Sequence, residues 1–281
     1  MPALHVGYRA RRVTQTLTGF DNGPSVLASL ARGGLARAVG RDPGDLEFRV
    51  HGLSITCPNV AGARVPIYEL QVEDAYRLDW FLNRLGDAPR VLDIGGHVGN
   101  FSLALTRHRP GARVFAFEPA PTTFGYLRRN LDRNGRTQVS AHQVAVGAVH
   151  GTISFTDNGA GSGLNGVTNP SGTPIDVDAI TLADALDLAT EDLRVDRGPA
   201  AEVDLVKMDA EGAEYDAVLA ADVATLSRIR RLVMEYHDVP GHAPDELFNR
   251  LSSAGLEIIA QEQVTDRLGT AWLARVDDLP G

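Results

Sequence analysis

The chain has 281 residues, with 27 Lys plus Arg against 36 Asp plus Glu, a formal net charge of −9. Hydrophobic residues at 43% and charged residues at 22% describe a globular chain with a full core and exclude a disordered or fibrous one. The acidic balance argues against nucleic acid and anionic lipid as partners.

Cys57 is the single cysteine. This excludes an internal disulfide framework and a multi-cysteine zinc site, and it fits a reducing compartment. With Pro58 after it and nothing nearby to lower its pKa, Cys57 reads as a packing residue. The opening MPALHVGYRARRVTQTL lacks the apolar stretch of a secretory signal. Thr137–Thr156 and Asn158–Ile175 lack Asp, Glu, Lys and Arg but are too polar to span a bilayer. The expectation is a soluble, cytoplasmic protein with no membrane partner.

Residues 1–88 read as an irregular N-terminal appendage that caps a site. They are punctuated by Gly19, Gly23, Pro24, Gly33, Gly34, Gly40, Pro43 and Gly44. Leu46–Thr56 carries short β-like stretches. Val72–Leu85 is expected to be a helix, with Tyr76, Trp80 and Leu82 among its apolar positions and Gly86 as its stop.

Residues 89–281 read as one regular domain. Apolar runs at Val91–Ile94, Val114–Phe117, Val139–Val146, Val203–Met208, Leu232–Tyr236, Leu256–Ile259 and Ala271–Val276 predict strands. Asn100–His108, Thr122–Asn134, Thr181–Ala189, Ala213–Ala221 and Pro244–Ala254 between them predict helices. Strands alternating with helices indicate an α/β fold, a doubly wound and mostly parallel sheet. Asp157–Pro174, dense in Gly, Asn, Ser, Thr and Pro, reads equally as a surface linker or as a mobile flap over a site.

The sharpest signal is Arg90-Val-Leu-Asp93-Ile-Gly95-Gly96-His97-Val-Gly99-Asn100-Phe. A strand runs into glycines and then into a helix, which turns backbone N–H groups toward a ligand at the carboxyl end of the sheet. The spacing does not fit the dinucleotide fingerprint G-x-G-x-x-G. Asp93 would repel a pyrophosphate but can orient an amine or a sulfonium. These features disfavour an NAD-dependent oxidoreductase. The second strand ends at Glu118-Pro119, about 20 residues downstream, where a carboxylate can accept both ribose hydroxyls of an adenosine. The third strand brings Ala145, Val146 and Gly147 beside an adenine.

These residues resemble a class I S-adenosylmethionine-dependent methyltransferase. Asp204-Leu-Val-Lys207-Met-Asp209-Ala-Glu211-Gly212-Ala-Glu214, with Ile180-Thr181-Leu182 before it and Met234-Glu235-Tyr236-His237 after it, resembles the signature of the FkbM-family methyltransferases. The resemblance covers roughly residues 69–275. It implies a Rossmann-like sheet with a terminal antiparallel strand, and methyl transfer often to a hydroxyl. It implies cofactor contacts at Asp93, Gly95, Gly96, His97, Gly99, Asn100, Glu118, Pro119, Ala145, Val146 and Asp209. The family commonly has a small residue where His97 stands.

The strands also carry charge. Lys207 and Asp209 project to one side, and Lys207 is expected to be a buried structural partner rather than a catalytic group. Glu211 and Glu214 fall in the first turn of a helix, where the helix dipole accounts for Glu214 and Glu211 faces either the cleft or the cap. Glu235 and His237 share one face of the fifth strand. His237, Asp209, Glu235 and Glu211 are the candidate catalytic residues. His237 is favoured as a direct general base oriented by Glu235. A divalent ion (Mg²⁺ or Mn²⁺) on Asp209, Glu235 and His237 is the less favoured route.

The expected function is methyl transfer from S-adenosylmethionine to a hydroxyl of a small molecule, in secondary metabolism or sugar modification. N-methyl transfer and a non-catalytic cofactor-binding module are the alternatives. Association into a homo-oligomer is left open.

Overall fold

The computed structural model describes residues 2–162, 165–166, 172–193, 198 and 201–279, with side chains from residue 10 onward. Helices α1 (Pro2–Gly19) and α2 (Gly23–Ala38) stand where the sequence reads as irregular. Glycine serves here as a packing residue rather than a breaker. A Cβ on Gly23 would lie 2.3 Å from the Thr16 carbonyl oxygen, and one on Gly33 2.2 Å from the Asn59 side-chain nitrogen.

Strands β1 (Asp45–Val50) and β2 (Leu53–Pro58) form an antiparallel hairpin. It turns at His51 and Gly52, both left-handed, as a tight two-residue hairpin requires. Helix α3 (Ala61–Gln71) follows. The expected helix Val72–Leu85 is reduced to the single turn α4 (Leu78–Phe81). Asp74 and Arg77 take φ of 48° and 51°, a conformation that interrupts a right-handed helix. The Asp74 carboxylate then accepts from the Leu78 N–H at 2.9 Å and starts the turn.

The regular part begins with β3 (Arg90–Ile94), α5 (Asn100–His108), β4 (Arg113–Phe117), α6 (Pro121–Arg133) and β5 (Val139–His142). The single strand expected over Val139–Val146 is two. β5 stays in the main sheet, while β6 (Ala145–Gly147) pairs instead with β8 (Thr173–Thr181). β8 also pairs with β7 (Gly151–Asp157) in an antiparallel hairpin. Asp157–Pro174 therefore spans the tip of this hairpin; its residues 163–164 and 167–171 lie outside the described residues. The chain continues through α7 (Leu182–Thr190), β9 (Leu205–Met208), α8 (Glu214–Ala220), α9 (Val223–Leu226), β10 (Arg231–Tyr236), α10 (Pro244–Ser252), β11 (Leu256–Gln263) and β12 (Gly269–Arg275).

The main sheet has the spatial order β11-β12-β10-β9-β3-β4-β5. β12 runs antiparallel to both neighbours, and the pairs from β10 to β5 are parallel. The winding reverses between β3 and β9, which opens a crevice at their carboxyl ends.

Alternation sorts the strand residues onto two faces. Leu92, Ile94, Val206, Met208, Leu232 and Met234 pack with α7, α8 and α10 through Leu186, Val218 and Leu247. Val91, Leu205 and Val233 pack with Phe48, Ile67, Leu78 and Phe81 of the N-terminal elements. Asp93, Lys207 and Glu235 belong by alternation to this second face. Asp93 and Lys207 stand directly opposite each other in register.

Candidate active site

The crevice is made by close approach of two backbone turns. Gly95 has φ +77°, and a Cβ there would lie 1.7 Å from the Asp209 carbonyl oxygen. No other residue fits. The Asp209 N–H donates to the Ile94 carbonyl at 3.1 Å. The Lys207 Nζ donates to the carbonyls of Ile94 at 3.2 Å and Gly95 at 2.6 Å. It also pairs with Asp93 at 3.5 Å and Asp209 at 3.6 Å. Lys207 is thus a buried clamp on the glycine turn, satisfied as a buried charge must be.

Asp93 does not line the cavity. Its side chain is fully buried, accepts from the Ser102 hydroxyl at 2.6 Å and pairs with Lys207. The expected direct contact of Asp93 with a cationic ligand is corrected: Lys207 occupies that role. Gly99 also stands behind the wall, as the left-handed residue that opens α5. Gly95, Gly96, His97, Asn100, Glu118, Pro119, Ala145, Val146, Asp209 and Glu211 do line the cavity.

Glu118 is buried, and each carboxylate oxygen already accepts one backbone N–H, from His97 at 2.9 Å and from Ala120 at 3.0 Å. Burial outweighs these bonds and raises its carboxyl to about 7.

The acidic group at the far end differs from expectation in two ways, at Glu235 and Glu211. Glu214 stands in the first turn of α8, as expected. It is fully buried and accepts from the backbone N–H groups of Ala210 at 2.7 Å and Gly212 at 2.8 Å, and from His237 Nδ1 at 3.0 Å. Glu235 does not orient His237; it accepts the Tyr76 hydroxyl at 2.7 Å. The residues that converge as metal ligands would are Asp209, Glu211 and His237, with ligand atoms within 4.8 Å of one another, so Glu211 replaces Glu235 in that set.

Charge in this group follows from burial and crowding. Burial works against a charged His237, yet the bond to Glu214 and the charges of Glu214, Asp209 and Glu211 raise it to about 10. The imidazole is therefore protonated at neutral pH, unlike the free base expected from the sequence. Burial and the Asp209 charge raise Glu211 to about 8 and Glu235 to about 7.

Tyr76 was not foreseen as a site residue. It lines the cavity, its hydroxyl bridges Glu235 and, at 3.5 Å, Asp209, and its carbonyl accepts from the Trp272 indole at 3.0 Å. In sequence it sits within an apolar stretch and carries no signal of its own. Glu214 did carry one, its fixed place in Lys-x-Asp-x-Glu-Gly-x-Glu.

The sheet order, the switch point and the glycine turn define a Rossmann-like α/β fold of the class I methyltransferase type. The sequence model of the methyltransferase FkbM domain matches residues 93–258, and the chain belongs to that family. It is 30% identical over 239 residues to the 31-O-demethyl-FK506 methyltransferase FkbM of Streptomyces tacrolimicus, covering 75% of this chain and 88% of that protein. It is 28% identical over 163 residues to Methyltransferase 1 of Beauveria bassiana (strain ARSEF 2860), covering 54% of this chain and 66% of that protein. The crystal structure of Methyltransferase FkbM from Methylobacillus flagellatus KT aligns with a TM-score of 0.47 at 18% identity, covering 73% of this chain and 52% of that chain. Among the described residues no helix is long and apolar enough to cross a membrane.

Proposed function

We propose that this methyltransferase uses S-adenosylmethionine and transfers its methyl group to a hydroxyl of a small molecule, in secondary metabolism or sugar modification. The observation that carries the reading is the convergence of Glu118, the Gly95-Gly96 turn and the Asp209–Glu211 pair on one cavity. The name of the Streptomyces relative specifies an O-demethyl substrate, which supports oxygen as acceptor.

The lining fits such a ligand. Each Glu118 oxygen keeps a further lone pair beyond its backbone bond, enough for two ribose hydroxyls. Ala145 and Val146 offer a small apolar wall to an adenine. Gly95 and Gly96 let the backbone approach the amino-acid half. Asp209 places a carboxylate where a sulfonium is favoured. When bound, S-adenosylmethionine supplies an electrophilic methyl group on sulfur. The protein's own part is alignment, which makes a bimolecular step effectively unimolecular, and removal of the hydroxyl proton. Glu211 takes that proton in this reading. It lines the cavity, and burial beside Asp209 gives it a basicity an ordinary glutamate lacks. His237⁺, held by Glu214, balances the carboxylates around it.

Calorimetry with S-adenosylhomocysteine, followed by methyl-transfer assays on hydroxylated small molecules, tests the proposal. Glu211→Gln is expected to lower turnover about 100-fold with S-adenosylhomocysteine affinity retained. No binding by the wild-type protein overturns the cofactor, and methylation of amines alone overturns the hydroxyl.

A further inference from the structure

Helix α2 carries Arg32 and Arg37 as its only charged residues. It meets the rest of the protein along one stripe. Val26 and Gly33 are buried, Leu30 packs against the core, and the Arg37 guanidinium donates to the Asn59 carbonyl. The opposite stripe faces solvent and is apolar as well. Pro24, Ala28, Ala31, Leu35 and Ala38 are all exposed. They follow one another at alternating steps of four and three residues, the spacing that lays a seam for a second helix to fill. Leu35 is 71% exposed, and Val39, one turn further on, is 69% exposed. A surface helix of a solitary domain ordinarily turns charged and polar side chains outward. No α2 residue is among those lining the cavity, so this seam is a surface separate from the site.

The two ends of the seam differ in charge. Asp21 precedes α2 and Arg41 follows it. Both are exposed, and among the described residues neither side chain has an ion-pair partner. Antiparallel pairing of two copies, with a twofold axis between Ala31 and Arg32, sets Asp21 beside the partner's Arg41 at both ends. It opposes the two helix dipoles. It also sets small residues against large ones, Ala28 against the partner's Leu35 and Pro24 against the partner's Val39. The other charges nearby are turned aside: the Asp42 carboxylate accepts from the Gly44 N–H at 2.8 Å, and the Arg32 guanidinium donates to the Ser29 hydroxyl at 2.9 Å. Parallel pairing would instead set Arg41 against the partner's Arg41 and align the dipoles.

We propose that the outward face of α2 is the contact between two copies of this chain, paired antiparallel as an isologous dimer. The occupant follows from charge and size together, since the face is complementary to itself only when reversed.

Sedimentation velocity of the full chain between about 1 and 100 µM tests the proposal. The expected result is a concentration-dependent species of twice the 30.1 kDa of one chain. Leu35→Glu buries a charge in the seam and is expected to weaken the dimer by tenfold or more, on the order of the cost of an unpaired interfacial charge. Because that side chain is exposed in one copy, its circular-dichroism spectrum should match wild type. Asp21→Arg and Arg41→Asp are each expected to weaken the dimer about tenfold. Combined in one chain they should restore it, which the antiparallel register requires. A chain that is monomeric throughout overturns the proposal. A dimer that Leu35→Glu leaves intact does so too, because its contact lies on another face. A combined charge exchange that fails to restore what the single ones lose overturns the register. A monomeric wild type that floats with phosphatidylglycerol vesicles, and no longer does so as Leu35→Glu, gives the face to a lipid surface and overturns the second copy.

Discussion

Gly95 and Asp209 meet backbone to backbone: the position a Gly95 Cβ would take lies 1.7 Å from the Asp209 carbonyl oxygen. This contact joins the first parallel strand to the fourth and sets the floor of the cavity. Gly95→Ala is expected to cost about 2–5 kcal/mol, through overpacking and left-handed strain, and to abolish S-adenosylhomocysteine binding. Gly99→Ala is the control. Its Cβ would meet Leu127 at an ordinary 3.6 Å, so only the left-handed cost of about 1–2 kcal/mol remains. Thermal melts of both variants check the ranking.

Glu118→Ala is expected to weaken S-adenosylhomocysteine by about 1–3 kcal/mol, the scale for hydrogen bonds to a charged group. Calorimetry reads the loss, and circular dichroism confirms that the fold persists without the carboxylate bonds to His97 and Ala120.

Glu214 holds His237 by charge and hydrogen bond. In Glu214→Gln the imidazole pKa is expected to fall from about 10 toward the ordinary 6.5, because the anionic acceptor is gone. Imidazole resonances followed by NMR across pH 5–11 report it directly. A midpoint that stays near 10 would show that Asp209 and Glu211 suffice.

Stability is expected to fall as pH rises. Glu118, Glu211 and Glu235 have raised pKa values of about 7, 8 and 7 from an ordinary 4.5. Between pH 4.5 and those values the folded protein binds more protons than the unfolded one, so each rise in pH favours unfolding. His237 acts with the same sign. Its stabilisation is complete below 6.5 and is lost as pH rises through about 10. Melting temperatures between pH 5 and 10 should decline, and Glu211→Gln should flatten the curve around pH 8.

Chelation separates two uses of the Asp209, Glu211 and His237 cluster. Methyl transfer that survives EDTA fits proton removal by Glu211. Loss restored by Mg²⁺ or Mn²⁺ assigns the three side chains to an ion.

Much of the sheet was readable because its strands are apolar runs between helical periods, and Asn100–His108 falls at the expected bounds. Gly23 and Gly33 looked like punctuation, yet they let helices pack against Thr16 and Asn59; a glycine needed for contact resembles one needed for a turn. The β5/β6 boundary was hidden because His142-Gln143-Val144 reads as continuous strand while β6 leaves for another sheet. Within the site, the glycine turn and Glu118 stood out through local spacing. The Tyr76–Glu235 bond, across 159 positions, and the Glu214–His237 bond depend on tertiary contact that no local pattern encodes.

One apolar cluster runs from Phe20, Phe48 and Ile67 through Leu103 and Val114 to Trp272. Residues before position 88 and after it therefore bury the same surface, and neither side keeps its share if the other lets go. Melting should then be a single cooperative event, with calorimetric and van't Hoff enthalpies in agreement. In such a molecule, heat that loosens the helices near the start of the chain also dismantles the place where ligand sits, so loss of binding and loss of fold should trace one curve.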